Sequence, residues 1–588
     1  MIQEEHSQFD RNFFSSDNRI SYIGTGSIGG KTQSLVLIDK ILNSKEFDKK
    51  KFSQIDVNVP TLTVLRTDVF DKFMKSNDLY DIAYSDAEDD RISHAFQQAA
   101  LPFDVLGDLR ALISEVHVPL AVRSSSMLED AMFEPFAGIY GTKMTPNNQP
   151  DTDTRFNKLV EAIKYVYSST YFKAAKDYMN ATRHSIKDEK MAVIIQEVVG
   201  DRHSDRFYPE LSGVARSYNF YPMGRAKPEE GVVNLALGLG KTIVDGGISW
   251  AYSPEYPKVN PPFGSVGDML KNTQLDFWAI NMGKPPSYNP IMETEYMLKG
   301  DLSEAEFDGS LKHLVSTVDS NSGRLIIGTG GKGPRALTFA PLLVFENIPL
   351  NDLIIHLLEL CEKALDAPVE IEFAMTLTKA NDGTFINRFG FLQSRPMVVS
   401  TDKIDVKPDD FDSDNVLVAS ENVLGNGIID SIKDIVFIIP EKFNPKDTQT
   451  MAMELEIINK KLVTDNHSYL LIGYGRWGSS DPWLGIPVNW GQVSGARAIV
   501  EAMLENMNVE LSQGSHFFHN LTSFNVSYFS IPFYSKLKID WEWLSKQSVE
   551  QETTFVKHVK LDSPLIIKAD GRNSKGLIYK EKNKNEKK

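Results

Sequence analysis

The chain has 588 residues, 41% hydrophobic and 24% charged, the balance of an ordinary soluble globular protein of about three or four domains. A formal net charge of −16 argues against non-specific nucleic-acid binding, and no run of about 18 apolar residues marks a membrane span. The polar N-terminus, Met1 to His6, lacks the order of a signal peptide, and the single cysteine, Cys361, excludes an internal disulfide, so a reducing, cytoplasmic location is expected.

Residues 19 to about 115 alternate apolar runs with helical patterns, the grammar of an α/β fold. In Arg19–Thr32 a short apolar run leads into Gly24, Gly26, Gly29, Gly30 and Lys31, and an amphipathic helix follows from Gln33 to Leu42. Glycines before a helix let a phosphate approach its backbone N–H groups, and Lys31 adds a full charge. Gly24, Gly26 and Gly29 satisfy G-x-G-x-x-G, but a Walker A loop fails because Thr25 stands where its first glycine belongs. An ordinary glycine turn fits the segment equally well. Val57–Leu65 reads as one apolar run, Thr67–Met74 as a helix and Ser85–Asp90 as a solvated helix start.

Next, a strand over Leu120–Val122 delivers Arg123 and Ser124–Ser126 at its end, either as phosphate donors or as a turn with a surface arginine. A long helical pattern runs from Thr154 to Tyr178. Met191–Val199 is a buried strand interrupted by Gln196 and Glu197, which suits an adenine edge or a partly exposed sheet edge. Leu235–Gly247 is a second glycine-rich passage, containing Lys241, and residues 256 to 340 read as an irregular insertion or lid. Leu353–Leu365 is an amphipathic helix in which Cys361 fills core.

Val369–Met397 reads as a β-hairpin turning around Asn381–Gly383. Alternation puts Glu370 and Glu372 on one face, roughly 7 Å apart, and Gln393 and Arg395 likewise on one face. Paired carboxylates on an apolar-flanked strand call for a cation between them, or for solvent. Mg²⁺ bridging carboxylates and phosphate oxygens, with Arg395 neutralising the phosphates, is one solution, and a solvated polar face is the other.

Six short strings then fall in a recognisable order: Gly29-Gly-Lys31, Val122-Arg-Ser-Ser125 with Phe136-Ala-Gly138, Ile195-Gln196, Leu237-Gly-Leu-Gly240, Val369-Glu-Ile-Glu372 and Leu392-Gln-Ser-Arg-Pro396. Through them, residues 20 to 400 resemble the nucleotide-binding half of pyruvate phosphate dikinase and phosphoenolpyruvate synthase, an ATP-grasp type fold. The resemblance implies that Gly29, Gly30, Lys31 and Arg123 lie at ATP phosphates and that Gln196, Glu197 and Val199 lie against adenine. It further implies that Glu372 and Gln393, with Glu370, hold Mg²⁺ and that Arg395 contacts the phosphates being transferred. Lys31, Arg123 and Arg395 are the candidate catalytic residues. Three features depart from the family. Lys241 follows Gly-Leu-Gly where its synthases carry an acid, and no Thr-Ser-His-Ala-Ala type phosphohistidine motif occurs. A (β/α)₈ pyruvate barrel needs at least ~200 residues, more than the 188 that follow residue 400.

The C-terminal third reads as a compact α/β or α+β unit, with strands at Asp414–Ala419 and Asp434–Ile439 and helices at Asp447–Leu462 and Ala496–Met507. Its loop Gly473–Trp483 combines an arginine, two tryptophans and glycines, suited to an anionic or ring-shaped ligand or to aromatic packing. His516 is open to three roles: a core residue, a phosphoacceptor or acid/base group, or a metal ligand. The lysine-rich end, Asn573–Lys588, reads as a solvated, disordered terminus.

The expected organisation is an α/β (α+β) chain. An ATP-grasp module comprises an N-terminal α/β subdomain, 1–115, and further subdomains at 116–255 and 341–400. The insertion or lid is 256–340, the C-terminal α/β domain 401–550, and 551–588 the final segment with its basic tail. The expected activity is an ATP- and Mg²⁺-dependent phosphotransferase acting on a small-molecule or protein acceptor, with a homo-oligomer left open. The alternatives are a nucleotide-sensing module without turnover and, more remotely, a Rossmann-type oxidoreductase resting on Gly24, Gly26 and Gly29.

Overall fold

A computed structural model describes residues 8–10, 18–126, 129, 138–182, 184–220, 222, 225–259, 265–379, 385–397, 399, 404, 406, 410–411, 415–479, 481–504, 517, 521, 526–535, 537 and 539–580. The hairpin turn at Asn381–Gly383, His516, Phe136, Ala137 and residues 581–588 lie outside them. Among the described residues, no helix is long and apolar enough to cross a membrane.

Six strands precede residue 200: β1 (Ile20–Ile23), β2 (Ile55–Asn58), β3 (Leu62–Leu65), β4 (Leu120–Ser126), β5 (Thr142–Thr145) and β6 (Met191–Glu197). Five more are β7 (Asp201–His203), β8 (Arg206–Tyr208), β9 (Leu211–Arg216), β10 (Val232–Ala236) and β11 (Trp250–Tyr252). Then come β12 (Asp276–Asn281), β13 (Met297–Asp301), β14 (Val315–Val318), β15 (Leu325–Ile327) and β16 (Arg335–Leu337), and finally the hairpin arms β17 (Val369–Lys379) and β18 (Phe385–Pro396).

These strands build two main walls. One sheet has the order β1-β3-β6-β4-β5 and the other β11-β10-β9-β17-β18-β2. The helix α1 (Gly29–Asn43) lies against both, through Thr32 to Ser125 on the first wall and Ser34 to Ser394 on the second. Its apolar side, with Leu35, Ile38 and Leu42, enters a core shared with Ile194, Leu211, Ile371 and Phe389. The apolar run Val57–Leu65 is therefore two strands. Pro60 cannot continue a hydrogen-bonded ladder, and the chain leaves β2, parallel to β18, to enter β3 between β1 and β6.

The strand expected over Leu120–Val122 extends to Ser126, because β6 pairs with it through Ser126↔Met191. The serines, turn formers in isolation, are held extended by that ladder and by bonds to Ile28, Thr32 and Glu129. The helical pattern 154–178 divides into helices Thr152–Ser169 and Lys173–Thr182, the first capped by Asp151 accepting from Thr154 N at 2.7 Å. Within 256–340, β12 pairs with β13 and β8, while β14, β15 and β16 form a small sheet of their own.

The C-terminal unit is built on a seven-stranded sheet with four parallel central strands, Asp434–Ile438, Tyr469–Tyr474, Ala496–Ala502 and Ser527–Ile531. Ala496–Ala502 corrects the helix expected from Ala496. Its alanine and glutamate content favours helix, but both neighbours in a buried parallel sheet require a strand, and packing overrides propensity. A second, four-stranded sheet contains Lys575–Tyr579, so the chain remains in a ladder well past Asn573. One apolar core joins the helical layer, with Phe70, Phe96 and Tyr167, to this unit through Met451, Leu471 and Trp490. Cys361 is buried, and burial pushes its thiol up to about 12, which makes it core and not a nucleophile.

Candidate functional site

The first glycine-rich stretch does two different jobs. The amides of Thr25 and Ser27 are taken by Asp68 Oδ1 at 2.5 Å and Thr67 Oγ1 at 3.0 Å, so Gly24–Ser27 is a turn tied to the next helix. Gly29 and Gly30 instead permit close backbone approach. A Cβ on Gly29, whose φ is +74°, would lie 1.7 Å from the Ser125 carbonyl oxygen, and one on Gly30 would lie 1.9 Å from that of Glu129. Only glycine lets the first turn of α1 press onto the end of β4. That contact places the Lys31 ammonium 2.7 Å from Glu129 Oε1 and 3.4 Å from Ser124 Oγ.

Arg123, in the middle of β4, spans the two walls. It donates to Gln196 Oε1 at 3.2 Å on its own sheet, and to the Leu392 carbonyl at 3.0 Å and Gln393 Oε1 at 3.0 Å on the other. Gln196 is 2% exposed and also donates weakly to the Pro60 carbonyl. The polar interruption of β6 thus faces the groove between the walls. Glu197 has Arg388 at 3.6 Å, and Val199 is buried, packed where it closes on Gly390.

The hairpin register matches the alternation read from the sequence: Glu370 lies opposite Arg395, and Glu372 opposite Gln393. On the other side of β17, Arg216 of β9 lies opposite Glu370. Arg395 Nε donates to Glu370 Oε1 at 2.6 Å, Arg216 ion-pairs with Glu370 Oε2, and Arg395 lies 3.9 Å from Glu372. All three members of the row Arg216, Glu370 and Arg395 are at most 3% exposed. Burial pulls the Arg216 guanidinium below its ordinary value while Glu370 opposes the shift. The two glutamates on one face therefore differ. Glu370 is held between two arginines, whereas Glu372 keeps partial exposure at the groove. Among the described residues, no group of three or more His, Cys, Asp or Glu could hold a metal ion.

From Arg123 the same face of the first wall runs back through Ala121 to Pro119. Ala121 packs with Val198, Leu239, Ile280 and Met282, with Met144 alongside. At the far end is a cavity of about 360 Å³ whose lining includes His117, Pro119, Asn147, Phe207 and Met282. The second glycine passage borders this region. There Lys241 pairs with Asp245 at 2.9 Å, and the neighbouring Glu293 is shifted upward by burial, with Lys241 opposing. The buried Lys143 of β5 anchors the chain leading to β13. Its ammonium donates to the carbonyls of Asn289, Pro290 and Met292 at 3.3, 2.8 and 2.8 Å and meets Glu295 at 2.7 Å.

The loop Gly473–Trp483 reaches this passage from the C-terminal unit, where Arg476 donates to the Gly246 and Gly247 carbonyls at 2.9 and 3.3 Å. Two groove residues escape a reading by motif, Arg216 and Glu129. The first is a lone arginine closing the apolar strand Leu211–Arg216, and the second an acid shortly after the serine run. Residues 25–415 match the family model of the pyruvate phosphate dikinase AMP/ATP-binding domain. No curated protein matches the chain.

Proposed function

The chain belongs to the pyruvate phosphate dikinase AMP/ATP-binding domain family, and on that premise we propose that it is an ATP- and Mg²⁺-dependent phosphotransferase of the dikinase type. One arrangement carries this reading: Arg123 reaches from one sheet to Gln393 and the Leu392 carbonyl on the other, Arg395 lies 3.9 Å from Glu372 opposite Gln393, and Lys31 stands 3.4 Å from Ser124, the residue after Arg123. Cations on neighbouring elements suit a triphosphate, since phosphoryl transfer needs positioning and charge stabilisation more than covalent chemistry.

The nucleotide lies along β4. Its phosphates sit at Arg123 and its base points past Ala121 toward Pro119 and Met282, because the four residues of strand from Arg123 to Pro119 span about 13 Å. Glu372 and Gln393 offer hard oxygen donors, and magnesium in such sites is held by one or two protein groups together with substrate phosphates and water. They would hold the ion, which when bound would neutralise charge on the phosphate oxygens. Glu370 is assigned a different part. With Arg216 it fixes the guanidinium of Arg395, which orients the phosphoryl group. The acceptor is a small molecule or a protein that reaches the open side of the groove.

Incubation with Mg²⁺ and ATP labelled separately in the β- and γ-phosphates tests the proposal. AMP formation with label on an acceptor or on the protein is the expected result. Nucleotide binding without turnover, in the presence of candidate acceptors, would replace catalysis by sensing, and turnover surviving Lys31→Ala with Arg395→Ala would remove the site assignment.

A further inference from the structure

The Lys31 ammonium is already engaged on its inner side. Glu129, 2% exposed, places Oε1 2.7 Å from Lys31 Nζ and 2.8 Å from Ser124 Oγ, while its Oε2 accepts from the Ser126 amide at 2.9 Å. A carboxylate bound by an ammonium, a hydroxyl and a backbone N–H has the partners a phosphate oxygen would take at the same place. Among the described residues, its other titratable neighbours are acidic groups. Glu189, 5% exposed, and the phenol of Tyr140 meet at Ser126, and both lie within the electrostatic reach of Glu129. Among the described residues that face Glu129 from α1, β4, Tyr140 and the stretch before β6, Lys31 is the cation.

Taking the groove as the nucleotide site described above, we propose that Glu129 is a built-in competitor of the nucleotide's phosphate for Lys31, so that nucleotide binding is coupled to proton uptake by the Glu129–Glu189 pair. For Lys31 to bind a phosphate oxygen, its ion pair with Glu129 must weaken. The carboxylate then remains buried beside a second acid without its cation. A buried anion in that position takes a proton from solvent. Glu189 shows the tendency, since burial, reinforced by Glu129, pushes its carboxyl up to about 7. The complex thus holds more protons than the free protein, and affinity for nucleotide falls as pH rises through neutrality. The device makes the lysine selective for a strong multivalent anion, because a weaker one does not displace the carboxylate.

Titration calorimetry of the full chain with MgATP between pH 7 and 8.5, in buffers of contrasting ionisation enthalpy, tests this directly. Net proton uptake by the wild-type protein is expected. Glu129→Gln should lose that uptake and bind MgATP about tenfold more tightly at pH 8, the scale of one charge-assisted hydrogen bond. Wild-type binding without proton uptake overturns the coupling, and weaker binding by a folded Glu129→Gln protein shows that Glu129 serves Lys31 and does not compete for it. If Glu129→Gln does not fold, the wild-type titration still decides. Absence of any MgATP binding by wild type fails the nucleotide reading itself, a result distinct from binding without proton exchange.

Discussion

Gly29 and Gly30 let the first turn of α1 close on the end of β4, and so bring the Lys31 ammonium to Glu129 and Ser124. With Ser125 and Glu129 backbone atoms less than 2 Å from where a Cβ would stand, Gly30→Ala must push α1 off β4. A loss of about 2 kcal/mol or more in denaturant unfolding, with weakened MgATP binding, is expected. The glutamates of the hairpin separate by the same reasoning. Glu370 is enclosed by Arg216 and Arg395, so Glu370→Gln should lower turnover while leaving the Mg²⁺ dependence of ATP affinity unchanged. Glu372→Gln should weaken that dependence by about tenfold or more, as loss of a metal-facing carboxylate does. Titrating Mg²⁺ at fixed ATP reads the difference, and equal effects of the two variants would refute the division of labour. Arg216→Met leaves a buried carboxylate with one partner fewer and should cost about 3 kcal/mol of stability.

At the scale of elements, alternation along Val369–Met375 and Phe385–Met397 was enough to put Glu370 with Glu372 and Gln393 with Arg395 on shared faces, since strand side chains can only point two ways. The register that sets Glu370 opposite Arg395 and Glu372 opposite Gln393 is visible only in the folded hairpin. Family strings singled out both Lys31 and Arg123, and the fold sets Lys31 beside Ser124, the residue after Arg123, although no local pattern joins them. Arg216 was invisible because its partner lies on β17, over 150 residues away, and nothing near it in sequence marks the pairing. Ala496–Ala502 misled for the opposite reason: its local preference is clear, and burial between two parallel strands reverses it. The tether from β5 to the chain before β13 is likewise readable only in three dimensions. Lys143 satisfies three carbonyls and Glu295 at once, and burial pulls its ammonium below its ordinary value, with Glu295 opposing. Lys143→Met removes the charge but leaves Glu295 and the carbonyls buried, so it should destabilise by about 3–5 kcal/mol. Thermal and denaturant unfolding would show it, and an unchanged midpoint would mean that the cage relaxes without its lysine.

Over the whole molecule, the C-terminal unit is not a passenger. It shares the largest apolar core with the helical layer and touches the second glycine passage through Arg476. Beneath that arginine, Glu501 is 1% exposed and hydrogen-bonded by Tyr528, and burial pushes its carboxyl up to about 7. The folded protein therefore binds a proton there that the unfolded chain releases at its ordinary value, near 4.5. This contribution to stability is full below that value and is lost as pH rises through about 7. Glu501→Gln should flatten the decline in melting temperature between pH 5 and 8, and an unaltered slope would assign the decline to other groups. The double strand at Val57–Leu65 has a mechanical meaning as well. Its two halves belong to opposite walls of the groove and are joined only by Val59, Pro60 and Thr61. Three residues reach about 10 Å when fully stretched, so the walls cannot part at this seam. With α1 and Arg123 also bonded to both walls, the groove is expected to open most at the rim farthest from Pro60.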